Sequence, residues 1–118
     1  MREDEMKYML LLTRGEWQEG GPEDDRETVF AQITEWWGRL RADGRMVGGH
    51  QLQPPETATT IVLERGRSMV IDRPLMEAKE AIGGYGILEA ADLDEAIAVA
   101  RTFPMPDGKV EVRAVVER

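Results

Sequence analysis

The chain reads GGYGILEAADLDEAIAVARTFPMPDGKVEVRAVV over residues 83–116, and this stretch contains a complete strand–helix–strand unit. Its first eight residues form an apolar run that is typical of a strand. Asp92 and Glu95 have the spacing of a capping box, which satisfies free amide groups at the start of a helix. The helix is predicted to reach about Phe103, because Pro104 prevents its extension. In the last eight residues apolar side chains alternate with others, which indicates a second strand.

The same order of elements occurs in the first half of the chain. An apolar run over residues 6–13 predicts a strand. The breaker at residues 20–22, Gly-Gly-Pro, precedes a helix whose apolar residues recur every three or four positions until Gly44. From residue 45 to 52 the period becomes two, which predicts a glycine-rich strand with its even-numbered residues on one face.

An inserted hairpin separates the two units. Residues 57–64 and 67–72 are predicted to be its strands, and Arg65-Gly66 its tip. Residues 76–82 are predicted to form one or two helical turns. The whole order indicates an α+β fold, a ferredoxin-like split βαβ repeat with an inserted β-hairpin, in which an antiparallel sheet carries two main helices on one face.

Two helices can cover only one face of such a sheet, yet several strands carry apolar residues on both faces. A second copy related by a two-fold axis would cover the other face, giving a dimeric α/β barrel with pockets at its seam. We therefore expect a homodimer. The residues that indicate two apolar faces are Met9, Leu11, Val47, Val62 and Leu88. Residues 1–5 are expected to be a disordered or loosely held leader ahead of a single domain over residues 6–118.

Composition excludes several classes of protein. The chain has 118 residues, no cysteine and a single histidine, so thiolate and His-rich metal sites are excluded, and we expect no metal and no cofactor. A net charge of −8 repels phosphate backbones, so no nucleic-acid partner is expected. No apolar run approaches the roughly 20 residues of a membrane span, and the first residues are charged. We expect a soluble, cytoplasmic protein without a membrane partner.

Two residues are candidates for catalysis. An unperturbed imidazole titrates near pH 6.5, so His50 would exchange protons at neutral pH, and the glycines at 48–49 leave room for a ligand beside it. Asp72, if it lies within hydrogen-bond reach of His50, would complete an acid–base pair. The alternative is that His50 is a structural residue at a strand end and that Asp72 accepts hydrogen bonds from turn amides.

Five further residues are candidates for ligand binding. Arg73 would hold a carboxylate or phosphate with two hydrogen bonds, or else pair with Glu77. Lys79 would contact an oxyanion and Glu80 would act as a base, unless this charged run is a solvated face. Tyr85 would donate a phenolic hydrogen bond into a cleft, or else lie in the core or an interface.

Short motifs in order along the chain make the interpretation more specific. They are Gly48-Gly49, Leu52-Gln53-Pro54-Pro55, Thr57-Ala58-Thr59-Thr60, Asp72-Arg73-Pro74-Leu75, Glu77-Ala78-Lys79-Glu80, Gly83-Gly84-Tyr85, Asp92-Leu93-Asp94-Glu95-Ala96 and Val110-Glu111-Val112-Arg113. Together they resemble the YCII-related family, in the branch named for an Asp-Gly-Pro-Phe motif. The resemblance implies a ferredoxin-like protomer in a dimeric α/β barrel and biochemistry that is mostly unassigned.

The resemblance also implies some functional classes. Some relatives resemble lyases that act on small aromatic or hydroxylated substrates, others occur beside or fused to sigma factors, and the cleft is thought to use a His–Asp pair. This chain departs from the pattern at three positions. Arg73 stands in place of glycine, Leu75 in place of phenylalanine, and Ile33 where relatives often carry histidine.

Because of these departures, the favoured function is a homodimeric small-molecule-binding domain with a cleft around residues 48–53 and 72–80. Its ligand would be a small anionic or aromatic metabolite. The second is a lyase-like or isomerase-like enzyme that uses His50 and Asp72 as an acid–base pair. The third is a protein-contacting accessory to transcription.

Overall fold

The computed structural model describes residues 5–18, 20–73 and 81–117 of the chain. Residues 1–4 of the expected leader lie outside the described residues. So do residues 74–80, which hold most of the predicted helical turns and the candidate residues Glu77, Lys79 and Glu80.

The elements within the described residues agree closely with the predicted order. They are β1 (Met6–Thr13), α1 (Glu23–Ala42), β2 (Met46–Gln51), β3 (Thr60–Glu64), β4 (Arg67–Ile71), β5 (Ile82–Ala90), α2 (Leu93–Ala100) and β6 (Val110–Ala114), with single turns of 3₁₀ helix at Glu16–Gln18 and Pro55–Thr57. Three boundaries were predicted wrongly. Strand β3 begins at Thr60 rather than Thr57, which belongs to a 3₁₀ turn, and α2 ends at Ala100 rather than near Phe103. Ile82 belongs to β5 rather than to a helical turn, because it pairs with Thr13 at the end of β1. Neither α1 nor α2, the helices of the described part, combines the length and hydropathy of a membrane span.

Four strands form an antiparallel sheet in the order β2-β5-β1-β6. Strand β5 lies between β1 and β2, so each strand–helix–strand unit crosses over one neighbouring strand, as in a ferredoxin-like fold. Both helices pack on one face of this sheet. Trp36 of α1 and Val99 of α2 share a core with Leu10 and Leu88, which are fully buried on the two central strands. The predicted fold is confirmed.

Alternation along the central strands separates the two faces of the sheet. On β5, Gly84, Gly86, Leu88 and Ala90 are buried toward the helices, whereas the intervening residues are half-buried. The face without helices, here called the open face, carries the half-buried Met9, Leu11, Tyr85 and Ile87, which pair across β1 and β5. The expectation of apolar residues on both faces of β1 is therefore confirmed.

Strand β2 departs from the alternation predicted for it. The pairing partners of Met46 and Gly48 on β5 are the consecutive residues Leu88 and Ile87, so Val47 is an extra residue in a β-bulge. The bulge places Met46 on the helix face, where it is 3% exposed, and Gly48 on the open face. The prediction that all even-numbered residues of this strand share a face is therefore wrong at Met46.

The inserted hairpin forms a separate two-stranded sheet from β3 and β4. Arg65 and Gly66 make its tip with φ values of 49° and 78°, the positive pair that a tight hairpin turn requires. Its apolar side chains remain largely exposed: Ile61 at 60%, Leu63 at 78%, Met69 at 61% and Val70 at 67%. The hairpin thus contributes little to the hydrophobic core.

Candidate functional site

A small cavity of about 90 Å³ lies between α1 and one end of the four-stranded sheet. Its floor is the place where β1 and β5 shift register, between Leu12 and Thr13, opposite Gly83 and Gly84. Because these glycines have no side chains, the sheet leaves a gap beneath the helix. The gap is the cavity.

Apolar side chains form most of the cavity wall. Three turns of α1 contribute Phe30, Ile33 and Trp37, which recur at the spacing of one helix face. The segment after α2 adds Phe103 and Met105. The polar lining residues are Thr13, Gln18, Thr34, His50 and Gln51. No Asp, Glu, Lys or Arg lines this cavity in the part of the chain that the structure describes.

Of two adjacent tryptophans of α1, one lies in the core and the other lines the cavity. Trp36 is 2% exposed, and its Nε1 donates a hydrogen bond of 2.7 Å to Thr102 Oγ1. Trp37 instead lies over β2 and β5. A Cβ atom added at Gly49 or at Gly86 would come within 2.6 Å of the Trp37 ring. These two glycines face each other across the strands, so together they make the room that Trp37 occupies.

Trp17 closes the cavity from the loop before α1. Its ring meets Phe30 edge to face, with centroids 5.0 Å apart and planes at 61°. The loop is fixed by the Glu16 amide, which donates a 2.7 Å hydrogen bond to Asp107 Oδ1. The Trp17 indole nitrogen is buried and has no hydrogen-bond partner among the described residues.

The structure brings together only two of the described site residues that were predicted from the sequence. His50 borders the cavity, and its Nδ1 lies 3.0 Å from the Tyr85 hydroxyl oxygen. The two residues face each other across β2 and β5. They form one polar pair on the open face.

The other two described candidates lie at the base of the hairpin. Asp72 and Arg73 follow β4 and are exposed. The Arg73 carbonyl accepts a 2.8 Å hydrogen bond from Thr60 Oγ1, which ties the two strands together. Among residues 5–18, 20–73 and 81–117, no hydrogen bond or ion pair joins Asp72 to His50. Nor does any group of three His, Asp or Glu side chains in those ranges have the proximity that a shared metal ion needs.

Comparison with known proteins identifies the family. The family model described as the YCII-related domain matches residues 6–118. The chain belongs to the YCII-related family. An uncharacterized protein of Rhizobium meliloti (strain 1021) is 35% identical over 93 residues, which make up 76% of this chain and 75% of the relative. The resemblance seen in the sequence is thus confirmed over nearly the whole length of the chain.

For this YCII-related protein, Ile33 is the most informative position. The resemblance placed histidine there in relatives, and the structure places Ile33 in the wall of the cavity. An apolar side chain therefore occupies the place where a proton-transferring group would face the cavity from α1. The apolar wall of the cavity was not among the site residues predicted for this family member. The features of the sequence that could have indicated this wall are the pair of glycines at 83–84 and the aromatic residues on α1.

Proposed function

We propose that the protein is a homodimeric binding domain for a small uncharged molecule, which enters the cavity between α1 and the sheet. The observation that carries the proposal is the composition of the wall, which is mostly aromatic and aliphatic and to which the described residues contribute no Asp, Glu, Lys or Arg. Burying an anion there without a partner would cost several kcal/mol. Of the two ligand classes expected from the sequence, the wall therefore favours the aromatic over the anionic one.

A matched pair of ligands tests the proposal. Benzyl alcohol and benzoate share one ring but differ in charge, and ligand-observed NMR detects binding of either one in the millimolar range. We expect benzyl alcohol to bind and benzoate to bind at least tenfold more weakly, a difference of about 1.4 kcal/mol. Equal binding of both compounds would contradict the proposal.

Two tryptophan variants locate the site. Ile33→Trp puts a larger side chain into the cavity wall and is expected to abolish binding of benzyl alcohol. Ile61→Trp makes the same change on the exposed hairpin and is expected to leave binding unchanged. Circular dichroism and the melting temperature show whether each variant is folded. Unchanged binding by a folded Ile33→Trp variant would place the ligand elsewhere.

The homodimer part of the proposal depends on the open face. Its half-buried apolar side chains, together with the exposed apolar side chains of the hairpin, give a surface that water solvates poorly. A second copy of the chain would cover it. Sedimentation velocity tests this with Ile87→Glu on the open face and Ile97→Glu, a matched control on the exposed side of α2. We expect only Ile87→Glu to yield monomers, and a monomeric wild-type protein at micromolar concentration would refute the dimer.

The His50–Tyr85 pair favours a second candidate function, a lyase-like or isomerase-like enzyme. Such an enzyme would abstract a proton next to a carbonyl group with His50 as the base, and the Tyr85 hydroxyl would donate a hydrogen bond to the carbonyl oxygen. Exchange of the α-protons of cyclopentanone in D₂O measures that step without knowledge of the product. Exchange faster than in buffer, lost in His50→Ala and reduced in Tyr85→Phe, would support the enzyme. Exchange at the buffer rate would exclude this chemistry for the compound.

A further inference from the structure

One face of the β3–β4 hairpin carries no charge and is exposed along its whole length. Cross-strand pairing puts four residues on it, here called the hairpin face: Ile61, Leu63, Ser68 and Val70. The charged pair Glu64–Arg67 lies on the opposite face, where Val62 and Ile71 are half-buried. The more exposed face of the hairpin is therefore the one without charged side chains.

Within the described residues, nothing covers the hairpin face. Among the described elements, β3 and β4 make extensive contact only with each other. The radius of gyration is 16.2 Å, whereas a compact chain of 118 residues would have one of about 13.5 Å, which agrees with a hairpin that projects from the body. A two-stranded hairpin without a packed face is at best marginally stable in water. The hairpin face therefore needs a cover from another molecule.

Charge favours a second copy of the chain as that cover. Residues 60–73 contain three arginines and two acidic residues, a net charge of +1. The whole chain has a net charge of −8, so the residues outside this segment carry −9. Opposite charge attracts the hairpin of one copy to the body of another, whereas two bodies of like charge repel each other.

The open face of the second copy matches the hairpin face in chemistry and in size. Its centre consists of Met9, Leu11 and Ile87, which are apolar and only half-buried. A five-residue strand is about 17 Å long and a four-stranded sheet is about 14 Å across, so one hairpin is long enough to span the open face. Faces of this kind pack with interdigitating side chains.

We propose that the hairpin is a dimerisation arm, whose uncharged face packs on the open face of a second copy. This inference rests on the proposed homodimer and names the contact that holds it together. Around a two-fold axis the contact occurs twice, because each copy gives one hairpin and receives the other. The arm explains why the hairpin face is both apolar and uncovered in the single chain.

Two neighbouring residues of β4 give a matched test. Val70 lies on the hairpin face and is 67% exposed, and Met69 lies on the opposite face and is 61% exposed. Val70→Glu is expected to raise the dimer Kd about 100-fold or more in sedimentation equilibrium, because it buries an unpaired carboxylate in the contact. Met69→Glu adds the same charge to the same strand and is expected to change that Kd by less than about threefold. Circular dichroism shows whether both variants are folded.

Cysteine cross-linking identifies the surface that the hairpin face contacts, because the chain has no cysteine of its own. Leu63→Cys marks the hairpin face, and Met9→Cys marks the open face. We expect a mixture of these two variants to form a disulfide between one chain of each kind under copper–phenanthroline oxidation. Met69→Cys, on the opposite face of the hairpin, is the control and is expected to give little of this product with Met9→Cys.

Three results would overturn the arm while leaving the homodimer standing. They are a wild-type dimer Kd in Val70→Glu, equal weakening by Val70→Glu and Met69→Glu, and disulfides between two Leu63→Cys hairpins in place of the mixed product. A wild-type chain that is monomeric at micromolar concentration would instead overturn the proposed homodimer, and the arm with it.

Discussion

Replacing Gly86 with alanine would place a methyl group where Trp37 already lies. The new Cβ atom would come 2.6 Å from Trp37 Cη2 and 2.9 Å from Met46 Sδ, whereas ordinary contacts begin near 3.4 Å. The ring must therefore retreat by about 0.8 Å within a packed core. Such overpacking lowers the free energy of unfolding by about 1–3 kcal/mol. Replacing glycine also reduces the conformational entropy of the unfolded chain, which raises the free energy of unfolding by about 0.4–1 kcal/mol. We expect a net loss of about 1–2 kcal/mol.

Urea denaturation at a fixed protomer concentration measures this loss, because a dimer makes stability depend on concentration. Gly20→Ala is the control. It lies in the loop before α1, and its Cβ atom would meet nothing within 4 Å, so its stability is expected to change by less than about 0.5 kcal/mol.

A double-mutant cycle assigns the loss to the indole ring. Trp37→Phe removes the two atoms that clash, Cη2 and Cζ3, so Gly86→Ala is expected to cost much less in that background. Two results would refute the reasoning: wild-type stability of Gly86→Ala, or the same cost with and without the indole.

Two further predictions concern stability. Asp92→Ala removes the side chain that accepts the Glu95 amide hydrogen at 2.9 Å at the start of α2, so it is expected to lower the free energy of unfolding by about 1 kcal/mol, and Asp94→Ala in the same first turn by less than half as much. Thr102→Val removes the acceptor of the buried Trp36 indole and is expected to cost about 1–2 kcal/mol by urea denaturation. A neutral Asp92→Ala would exclude the cap as a stabilising contact, and a neutral Thr102→Val would exclude the indole hydrogen bond.

Features set by neighbouring residues were predictable from the sequence. The spacing of Asp92 and Glu95 indicated a capped helix, and the cap is confirmed. The Arg65-Gly66 tip was predicted because extended segments lie on both sides of it, and the structure shows there the positive φ values of a tight hairpin turn. The order of strands and helices followed from such local signals, and it was sufficient to predict the ferredoxin-like fold.

Features that depend on pairing between distant strands were not predictable. The alternating pattern of the sequence does not reveal that Val47 is an extra residue, so Met46 was predicted to lie on the same face as Gly48. The cavity also depends on pairing between distant strands. Gly49 and Gly86 come together only when β2 pairs with β5, and only then is there room for Trp37 to leave the core and line a cavity.

The candidate chemistry was predicted from residue types, which favoured charged and titratable side chains. His50 does border the cavity, and its hydrogen bond to Tyr85 joins two predicted site residues. Most of the wall is apolar, however, and apolar residues in a sequence give no sign of whether they fill a core or line a cavity. The register shift between β1 and β5, which only the structure shows, distinguishes residues that line the cavity from residues that fill the core.

We infer that the space between α1 and the sheet is an apolar cavity that accepts a small uncharged occupant. Crystallography under xenon pressure examines this space, because xenon enters dry apolar cavities. We expect electron density for xenon among Leu12, Ile33 and Trp37. Ordered water that fills this space and persists under xenon, or side chains that close it completely, would exclude an apolar binding cavity there.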